Sequence, residues 1–288
     1  MAVAARARIP AFLMAIMVGN GAGSGSLSPF APTGIIVNRL MDTIALSGYQ
    51  WRTYWTNLAT HAVVAFVGYL ALGGWKLFRS EYAGVVDAAS SPAFDTANWV
   101  TMSVILSVMA VVLFLEANIG MAAFGGAVVL AAIRVADHEQ AIRRMPWAPI
   151  LMVSGVTVLI ALLEKTGGLD LFTDLLARTA TRGTVTGAVA FVTAVISVYS
   201  STSGVVLPAF LPTIPGLVAR LGGGDPLAIA TSMNVGAHLV DISPLSTTGA
   251  MCIAGITDPA EVRPTYNKLL AWGMSMTVVG AVWCWLVF

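Results

Sequence analysis

Two short segments combine hydroxyl side chains with proline and glycine in the same pattern. Ser26–Gly34 reads SLSPFAPTG, and Asp241–Gly249 reads DISPLSTTG. Four residue types recur in them at a spacing of 215 positions: Ser28 and Ser243, Pro29 and Pro244, Thr33 and Thr248, Gly34 and Gly249. Hydroxyl groups, free amides and free carbonyls bind small ions without any ionised side chain. The repeated pattern is the one expected of transporter halves built as structural repeats, and the alternative is a chance match in a Gly- and Ser-rich membrane protein.

Both segments lie in the middle of long apolar runs. Ile9–Asn38 carries no charge, and Asp241 is the only full charge in Pro226–Thr257. About 20 apolar residues suffice to cross a bilayer, but proline lacks an amide donor and glycine loosens the backbone. We expect two broken helices. In the first, one half-helix begins at about Ile9, the break spans Gly19–Pro32, and the second half-helix ends at about Met41. Unwound backbone at that depth must be buried in protein or line a wet cavity, as at the ion and substrate sites of transporters.

A third hydroxyl cluster, Ser200–Gly204, lies near the centre of the uncharged stretch Gly183–Ala219. As one helix that stretch would be about 55 Å long, well beyond a hydrocarbon core of about 30 Å. We predict a re-entrant helical hairpin that turns at Ser200–Gly204. The alternative is one tilted span, kinked by Pro208, Pro212 and Pro215.

Composition places the chain in a membrane. Of its 288 residues 57% are hydrophobic and 10% charged, with a mean hydropathy of +0.83, whereas soluble domains carry roughly 25% charged residues. The predicted fold class is an all-α polytopic membrane protein, placed in the inner membrane of a bacterium. A net charge of +1 gives no sign of nucleic-acid binding. Cys252 and Cys284 have neither disulfide nor metal-ligand spacing, and no catalytic motif indicates an enzyme.

The remaining segments complete the predicted topology. The basic start, Met1–Pro10, followed by apolar and small residues, also fits a signal peptide. Gly168–Arg182 has the spacing of an amphipathic interfacial helix, and Asp258–Lys268 is predicted to be a loop. Predicted unbroken spans are Thr53–Trp75, Trp99–Leu115, Ala117–Ile133, Met145–Leu163 and Leu269–Phe288.

The chemistry that these segments can perform is neutral ion binding. Half-helix N-termini attract carboxylate oxygens, and unwound carbonyls suit a small hard cation such as sodium. We predict substrate binding by Ser28, Pro29, Thr33, Gly34, Ser200, Ser201, Thr202, Ser243, Pro244, Ser246, Thr247, Thr248 and Gly249, and no cofactor other than a coupling ion.

Cation coupling is assigned to Asp241, His238, Ser203 and Ser26. A charge at the bilayer centre is costly, so Asp241 is a functional candidate, and with His238 three residues earlier it forms a pair suited to proton transfer. The alternatives are that Asp241 caps the second half-helix and that His238 is a packed polar residue. His61 and His138 are interpreted as loop or span-end residues.

The tip Ser200-Ser201-Thr202 and the two breaks resemble the ion transporter superfamily, specifically the divalent-anion:sodium symporters and malonate/dicarboxylate carriers. The resemblance implies two inverted repeats, each with a hairpin and a broken helix, in a homodimeric elevator. Residues 1–78 and 166–288 would form the transport domain and 99–165 the scaffold. It implies a lipid-embedded, cation-coupled carrier of a small carboxylate of the C4-dicarboxylate or malonate type.

The sequence departs from that family at two points. Ser201 stands where the family has Asn, which puts sodium coupling in doubt and favours a proton on Asp241. The family's first hairpin is not found before the first broken helix, so we expect the C-terminal part of a longer or split carrier, or a late start codon. The alternatives are a non-transporting fragment or subunit, and an inorganic-anion or sodium/proton carrier of the same superfamily.

Overall fold

A computed structural model describes residues 9–79, 94–115, 117–135, 137–143 and 165–288, with isolated residues 4, 7, 145, 147, 151, 155, 158, 159 and 162. All regular structure within these residues is helical. The described parts of Met1–Gly84 and Met152–Phe288 form one compact unit, and those of Val85–Leu151 form a second.

The first unit holds nine helices among its described residues. They are α1 (Ala11–Ser26), α2 (Pro32–Thr43), α3 (Gln50–Ala71), α7 (Gly168–Thr179), α8 (Val185–Tyr199), α9 (Thr202–Arg220), α10 (Pro226–Leu239), α11 (Thr247–Ala254) and α12 (Pro259–Val287). A 3₁₀ helix, Gly74–Arg79, follows α3. In the second unit the helices are α4 (Thr96–Phe114), α5 (Ile119–Ala132) and α6 (His138–Arg143).

The core of the first unit forms around α10, which packs against α3, α8 and α12. Every residue from Ile229 to Leu239 is buried. A helix buried on all sides has no need of a polar face, which explains why α10 shows no amphipathic pattern. Asn234 and His238 are therefore enclosed in protein.

Both predicted breaks are present, at residues 27–31 and 240–246, and they share the same hydrogen bonds. The Ala31 amide donates to the Ser28 carbonyl, and the Ser246 amide donates to the Ser243 carbonyl, each at 2.9 Å. Ser28 and Ser243 donate their own amides three residues back, at 3.1 and 2.8 Å. Each break is therefore a compact pair of turns in which the chain satisfies much of its own backbone.

A glycine closes each break. A Cβ atom at Gly249 would lie 2.0 Å from the Ser243 carbonyl oxygen, and one at Gly34 would lie 1.9 Å from the Ser28 carbonyl oxygen. No side chain fits at such distances, so the second half-helix folds directly back over the turn. This close approach explains why glycine stands at both positions.

The first break is shorter than predicted, because α1 continues through the glycine-rich stretch to Ser26. Two of its glycines, Gly19 and Gly23, serve packing instead of ending the helix. A Cβ at Gly19 would lie 2.7 Å from the Ile242 side chain, and one at Gly23 would lie 2.6 Å from the His61 ring. The prediction of a break from Gly19 onward was wrong for this reason.

The predicted loop Asp258–Lys268 is also wrong, since these residues begin α12. The Asp258 side chain accepts the Ala260 amide at 2.9 Å as an N-cap, and Pro259 occupies the first helical position, where proline is favoured. Pro264 removes one backbone hydrogen bond without ending the helix.

Other spans shift by a few residues at their ends. The predicted span Thr53–Trp75 is found as Gln50–Ala71, and Trp99–Leu115 as Thr96–Phe114. Ala117–Ile133 becomes Ile119–Ala132, where the Asn118 side chain caps the first turn. Met145–Leu163 lies outside the described residues apart from isolated positions.

Residues 185–220 form a helical hairpin and not a single kinked span. Arg182, before α8, donates from Nε to the Leu221 carbonyl oxygen at 3.0 Å and from Nη2 to the Gly222 carbonyl oxygen. The end of α9 therefore returns to the start of α8. Arg220 pairs with Asp170 and Asp174 of α7 at 3.4 and 2.7 Å, which fixes α7 beside the same end.

The lengths and surfaces of the helices suit a bilayer. In the described part of the chain, Thr202–Arg220 and Pro259–Val287 are long and apolar enough to cross one, and α4, α5 and α8 contain shorter apolar segments. Large apolar side chains are left exposed in both units, including Phe114, Met121 and Leu286. Such exposed apolar surface is unusual in soluble proteins.

We expect Gly249→Ala to lower the free energy of unfolding by at least about 2 kcal/mol, since overpacking against backbone cannot be relieved by a rotamer change. Thermal unfolding in detergent measures the loss. Gly21→Ala is the matched control, because nothing lies within 4 Å of its Cβ. Equal unfolding temperatures for both variants would contradict the packing described for the second break.

Candidate functional site

The hairpin tip is joined to the second break by a side-chain hydrogen bond. Thr202 Oγ1 lies 2.6 Å from Asp241 Oδ1 and 3.2 Å from the Ala237 carbonyl oxygen. Because the hydroxyl has one proton, the shorter bond to the carboxylate takes it. Ser197 Oγ, at 2.5 Å from Thr202 Oγ1, then donates to Thr202. Two consecutive hydrogen bonds thus connect Ser197 of α8, Thr202 of the hairpin tip and Asp241 of the second break.

Asp241 does not cap the second half-helix. The N-cap of α11 is Ser246, and its hydroxyl turns back to the carbonyl oxygens of Asp241 and, at 2.9 Å, Ser243. The first amides of α11 therefore have no side-chain cap. The alternative interpretation of Asp241 as a cap is wrong, because its carboxylate accepts from Thr202 instead.

The predicted residues of the second break differ in accessibility. Ser243, Pro244, Ser246 and Gly249 are buried, whereas Thr247 is exposed and Thr248 half-buried. Ser243 Oγ lies 3.4 Å from the Leu245 amide, inside the turn. Ser243 is thus placed to shape the break, whereas Thr247 and Thr248 remain accessible at the start of α11.

The first break shows the same division. Gly34 is buried, and Ser28, Pro29 and Thr33 are half-buried. Ala31, the N-cap of α2, has no side chain that can accept a hydrogen bond, so α2 also begins with uncapped amides. Ser26 belongs to α1, and its hydroxyl donates to the Gly23 carbonyl oxygen at 2.7 Å.

The serines of the hairpin tip turn to the backbone. Ser200 Oγ donates to the Ile196 carbonyl oxygen at 2.8 Å, and Ser201 Oγ accepts the Gly204 amide at 3.1 Å. Ser203 is half-buried in the π-helical turn Thr202–Val206 that begins α9. Ser200 and Ser201 are also half-buried, so their side chains lie at the surface of the hairpin tip and not in the core.

Packing brings the two broken helices to the hairpin by different routes. Val37 and Met41 of α2 share a core with Leu207 and Leu211 of α9. On the other side, α1 lies against the second break, where Gly19 meets Ile242. The tip contacts the second break directly, and the first break reaches the hairpin through α2.

Sequence reasoning missed a polar group formed with His61. This residue lies in the middle of α3, is only 1% exposed, and has Nδ1 at 3.0 Å from Asn20 Oδ1. Its interpretation as a loop or span-end residue was wrong. Asn57 and His61 are four residues apart on one helical face within an apolar span, and that spacing is the signal that could have identified them.

His238 is fully enclosed, and its Nδ1 lies 2.8 Å from the Asn234 carbonyl oxygen one turn earlier. The predicted pair of His238 and Asp241 requires a helix that continues to Asp241. However, α10 ends at Leu239, and the Asp241 carboxylate bonds to Thr202 instead. The helix that carries His61, α3, packs against α10.

The assembled groups suit an anion and a cation more than covalent chemistry. Uncapped helix N-termini carry partial positive charge, and the breaks supply carbonyl oxygens. Across the residues described above, no three His, Cys, Asp or Glu side chains gather as metal ligands. The helical fold with its two broken helices is consistent with a helical membrane transporter.

The chain belongs to the citrate transporter family CitMHS, whose sequence pattern matches residues 1–236 of the 288. The match includes the first break and the hairpin and ends before Asp241. Membership indicates an integral membrane protein that is a secondary carboxylate transporter. The prediction of a membrane-embedded carboxylate carrier is therefore confirmed. A search of curated proteins found no match.

The bond between Thr202 and Asp241 can be tested directly. We expect Thr202→Val to lower the free energy of unfolding by about 1–3 kcal/mol, because the carboxylate loses a donor and Ser197 loses an acceptor. Thermal unfolding in detergent is the measurement. Thr202→Ser, which keeps the hydroxyl, should stay close to the wild type.

Thr213→Val is a second control, since the Thr213 hydroxyl donates only to the Phe210 carbonyl oxygen of its own arm. If Thr213→Val lowers the free energy of unfolding as much as Thr202→Val does, the bond between Thr202 and Asp241 contributes no more to stability than a local hydrogen bond.

Proposed function

We propose that this protein is a cation-coupled secondary transporter of a small polycarboxylate, with citrate as the first candidate substrate and C4-dicarboxylates and malonate as the next. The observation that carries the proposal is the citrate transporter family match over residues 1–236. It is supported by two breaks with the same turn hydrogen bonds.

The substrate carboxylates are assigned to the two uncapped half-helix N-termini. Thr33 is the second residue of α2, and Thr248 is the second residue of α11. Both are half-buried, and both stand at the same place relative to their break. Two equivalent sites of partial positive charge suit a substrate with at least two carboxylates. The half-buried serines of the hairpin tip would complete the site.

The coupling cation is assigned to the second break and its neighbours. Asp241 supplies a carboxylate, and the unwound residues 240–246 supply carbonyl oxygens of the kind that sodium prefers. The Asp241 carboxylate can instead take up a proton, so sodium and protons are the two ions to compare. A cation beside a bound polycarboxylate lowers the cost of placing that anion at membrane depth.

We further infer that the two broken helices belong to inverted repeats of an elevator-type homodimer in the cytoplasmic membrane of a bacterium. The compact unit with the breaks and the hairpin would be the moving transport domain. The unit with α4, α5 and α6 would belong to the dimerising scaffold, where exposed apolar side chains suit lipid or a second copy.

Uptake of radiolabelled citrate into proteoliposomes tests the function. We expect accumulation driven by an inward sodium or proton gradient, with competition by unlabelled succinate and malonate measuring specificity. Thr33→Ala and Thr248→Ala should each raise the apparent KM roughly 3- to 10-fold, the effect of losing one hydrogen bond.

Ser275→Ala is the control, because the Ser275 hydroxyl is exposed and donates only to the Trp272 carbonyl oxygen. Absence of transport under every gradient would refute the proposal. Unchanged citrate affinity in both threonine variants would remove the helix N-termini from the site.

A further inference from the structure

Aromatic side chains surround the start of α3 and the first break. Trp51, Tyr54 and Trp55 lie in the first two turns of α3, at a spacing that puts them on one face. Their ring centroids are 6.0 Å apart for Trp51 and Tyr54 and 5.0 Å apart for Tyr54 and Trp55. Phe30 of the first break lies 6.0 Å from Trp51, edge to face. We call these four residues the aromatic cluster.

The cluster is open to the surroundings, and so is the apolar face of α3 that follows it. Trp51 is 51% exposed and Trp55 58%. Further along α3, large apolar side chains at helical spacing are between 41% and 65% exposed. They are Val63, Phe66, Val67 and Leu70. In a membrane protein an exposed apolar stripe of this kind suits the lipid tails.

The contacts of α3 with α12 show that the two helices are antiparallel. Trp283 Nε1 donates to Thr60 Oγ1 at 3.2 Å. A Cβ atom at Gly68 would lie 2.7 Å from the Trp272 ring. As α3 advances, its contacts therefore move backward along α12. Both helices thus cross the same layer of the bilayer.

This layer is uncharged, and its thickness is that of a bilayer core. The chain has no Asp, Glu, Lys or Arg in Thr53–Trp75 and none in Leu269–Phe288. With 22 residues, α3 is about 33 Å long, close to a hydrocarbon core of about 30 Å. Trp51 therefore lies at one surface of the layer. Trp75, with Lys76 Nζ 5.9 Å from its ring centroid, lies at the other.

The first break lies near the Trp51 end of this layer. Asn57 Nδ2 donates to the Gly23 carbonyl oxygen at 2.8 Å, and Phe30 lies against Trp51. Residues 27–31 are therefore between the levels of Asn57 and Trp51, which are about 9 Å apart along α3. The middle of the layer is about 15 Å from its surface. The first break is thus shallower than the middle of the bilayer.

The side chains at this end suit the headgroups of phospholipids. Trp and Tyr combine an apolar ring with a polar N–H or O–H, and they concentrate where lipid meets water. Arg52, in the same turn as Trp51, is exposed, and a guanidinium binds phosphate through charge-assisted hydrogen bonds. The cluster and Arg52 therefore match a phospholipid surface in both ring type and charge.

We propose that the aromatic cluster docks in the phospholipid headgroup layer and holds the first break at the interface of membrane and water. The stripe from Val63 to Leu70 contacts the lipid tails, and the contact of Phe30 with Trp51 joins the break to the anchored rings. The uncapped amides at the start of α2 then lie within reach of water from one side. Entry of substrate from that side rests on the proposed function, whereas the depth of the break is a property of the folded chain.

Spin-label EPR of the full chain in phospholipid nanodiscs measures this depth without transport. Nitroxide labels are placed at Phe30→Cys and, near the middle of α3, at Val63→Cys. Their collisions with oxygen, which is enriched in lipid tails, are compared with collisions with a water-soluble nickel chelate. We expect the Phe30→Cys label to be shallower by about 10 Å. The two native cysteines are buried, and the unsubstituted chain gives the background signal.

Equal depths of the two labels would overturn the proposal. Exclusion of both reagents from the Phe30→Cys label would also overturn it, because protein and not lipid would then cover the cluster. If Phe30→Cys fails to fold, Gly25→Cys replaces it, since nothing lies within 4 Å of a Cβ at Gly25. That label, one residue before the end of α1, should also be shallower than the Val63→Cys label.

A second measurement tests whether the rings hold the break in place. Replacing both tryptophans, Trp51→Leu with Trp55→Leu, keeps an apolar surface but removes the N–H groups that favour the interface. The label at Gly25→Cys should then move deeper into the lipid. Phe66→Leu, in the apolar stripe, is the control and should leave its depth unchanged. An unchanged depth in the double tryptophan variant would show that the cluster does not anchor the break.

Discussion

The structure depends on one constraint, which is that backbone polar groups inside a bilayer must find partners within the protein. A broken helix violates this rule unless its unwound residues bond to each other. Residues 27–31 and 240–246 meet the constraint with the same two turns, and a glycine lets the following half-helix close over each turn. The amides that remain uncapped begin α2 and α11.

This arrangement divides the hydroxyl groups of the breaks between two roles. Ser26 and Ser246 turn onto backbone carbonyls, and Ser243 lies inside its turn, so these residues build the break. Thr33 and Thr248 remain half-buried at the uncapped helix ends. Under the proposed function, the buried serines would keep the breaks rigid while Thr33 and Thr248 stay accessible to a charged substrate.

Sequence reasoning was accurate where a local signal was strong. Proline and glycine within uncharged runs located both breaks, and the excessive length of Gly183–Ala219 indicated the hairpin. It failed where packing overrode local preference. The glycines before Ser26 were interpreted as a break, although α1 continues through them, and two of them, Gly19 and Gly23, allow Ile242 and His61 to approach α1 closely. Charges after Asp258 were interpreted as a loop, although capping starts α12 there.

The sequence by itself determined the membrane class, the pairing of the two breaks and the residue types that line them, because hydropathy, proline and glycine act locally along the chain. Only the tertiary structure decided which of these residues meet. Thr202 reaches Asp241 across 39 positions, and His61 meets Asn20 across 41 positions. Such contacts depend on how whole helices pack, and no local pattern encodes that packing.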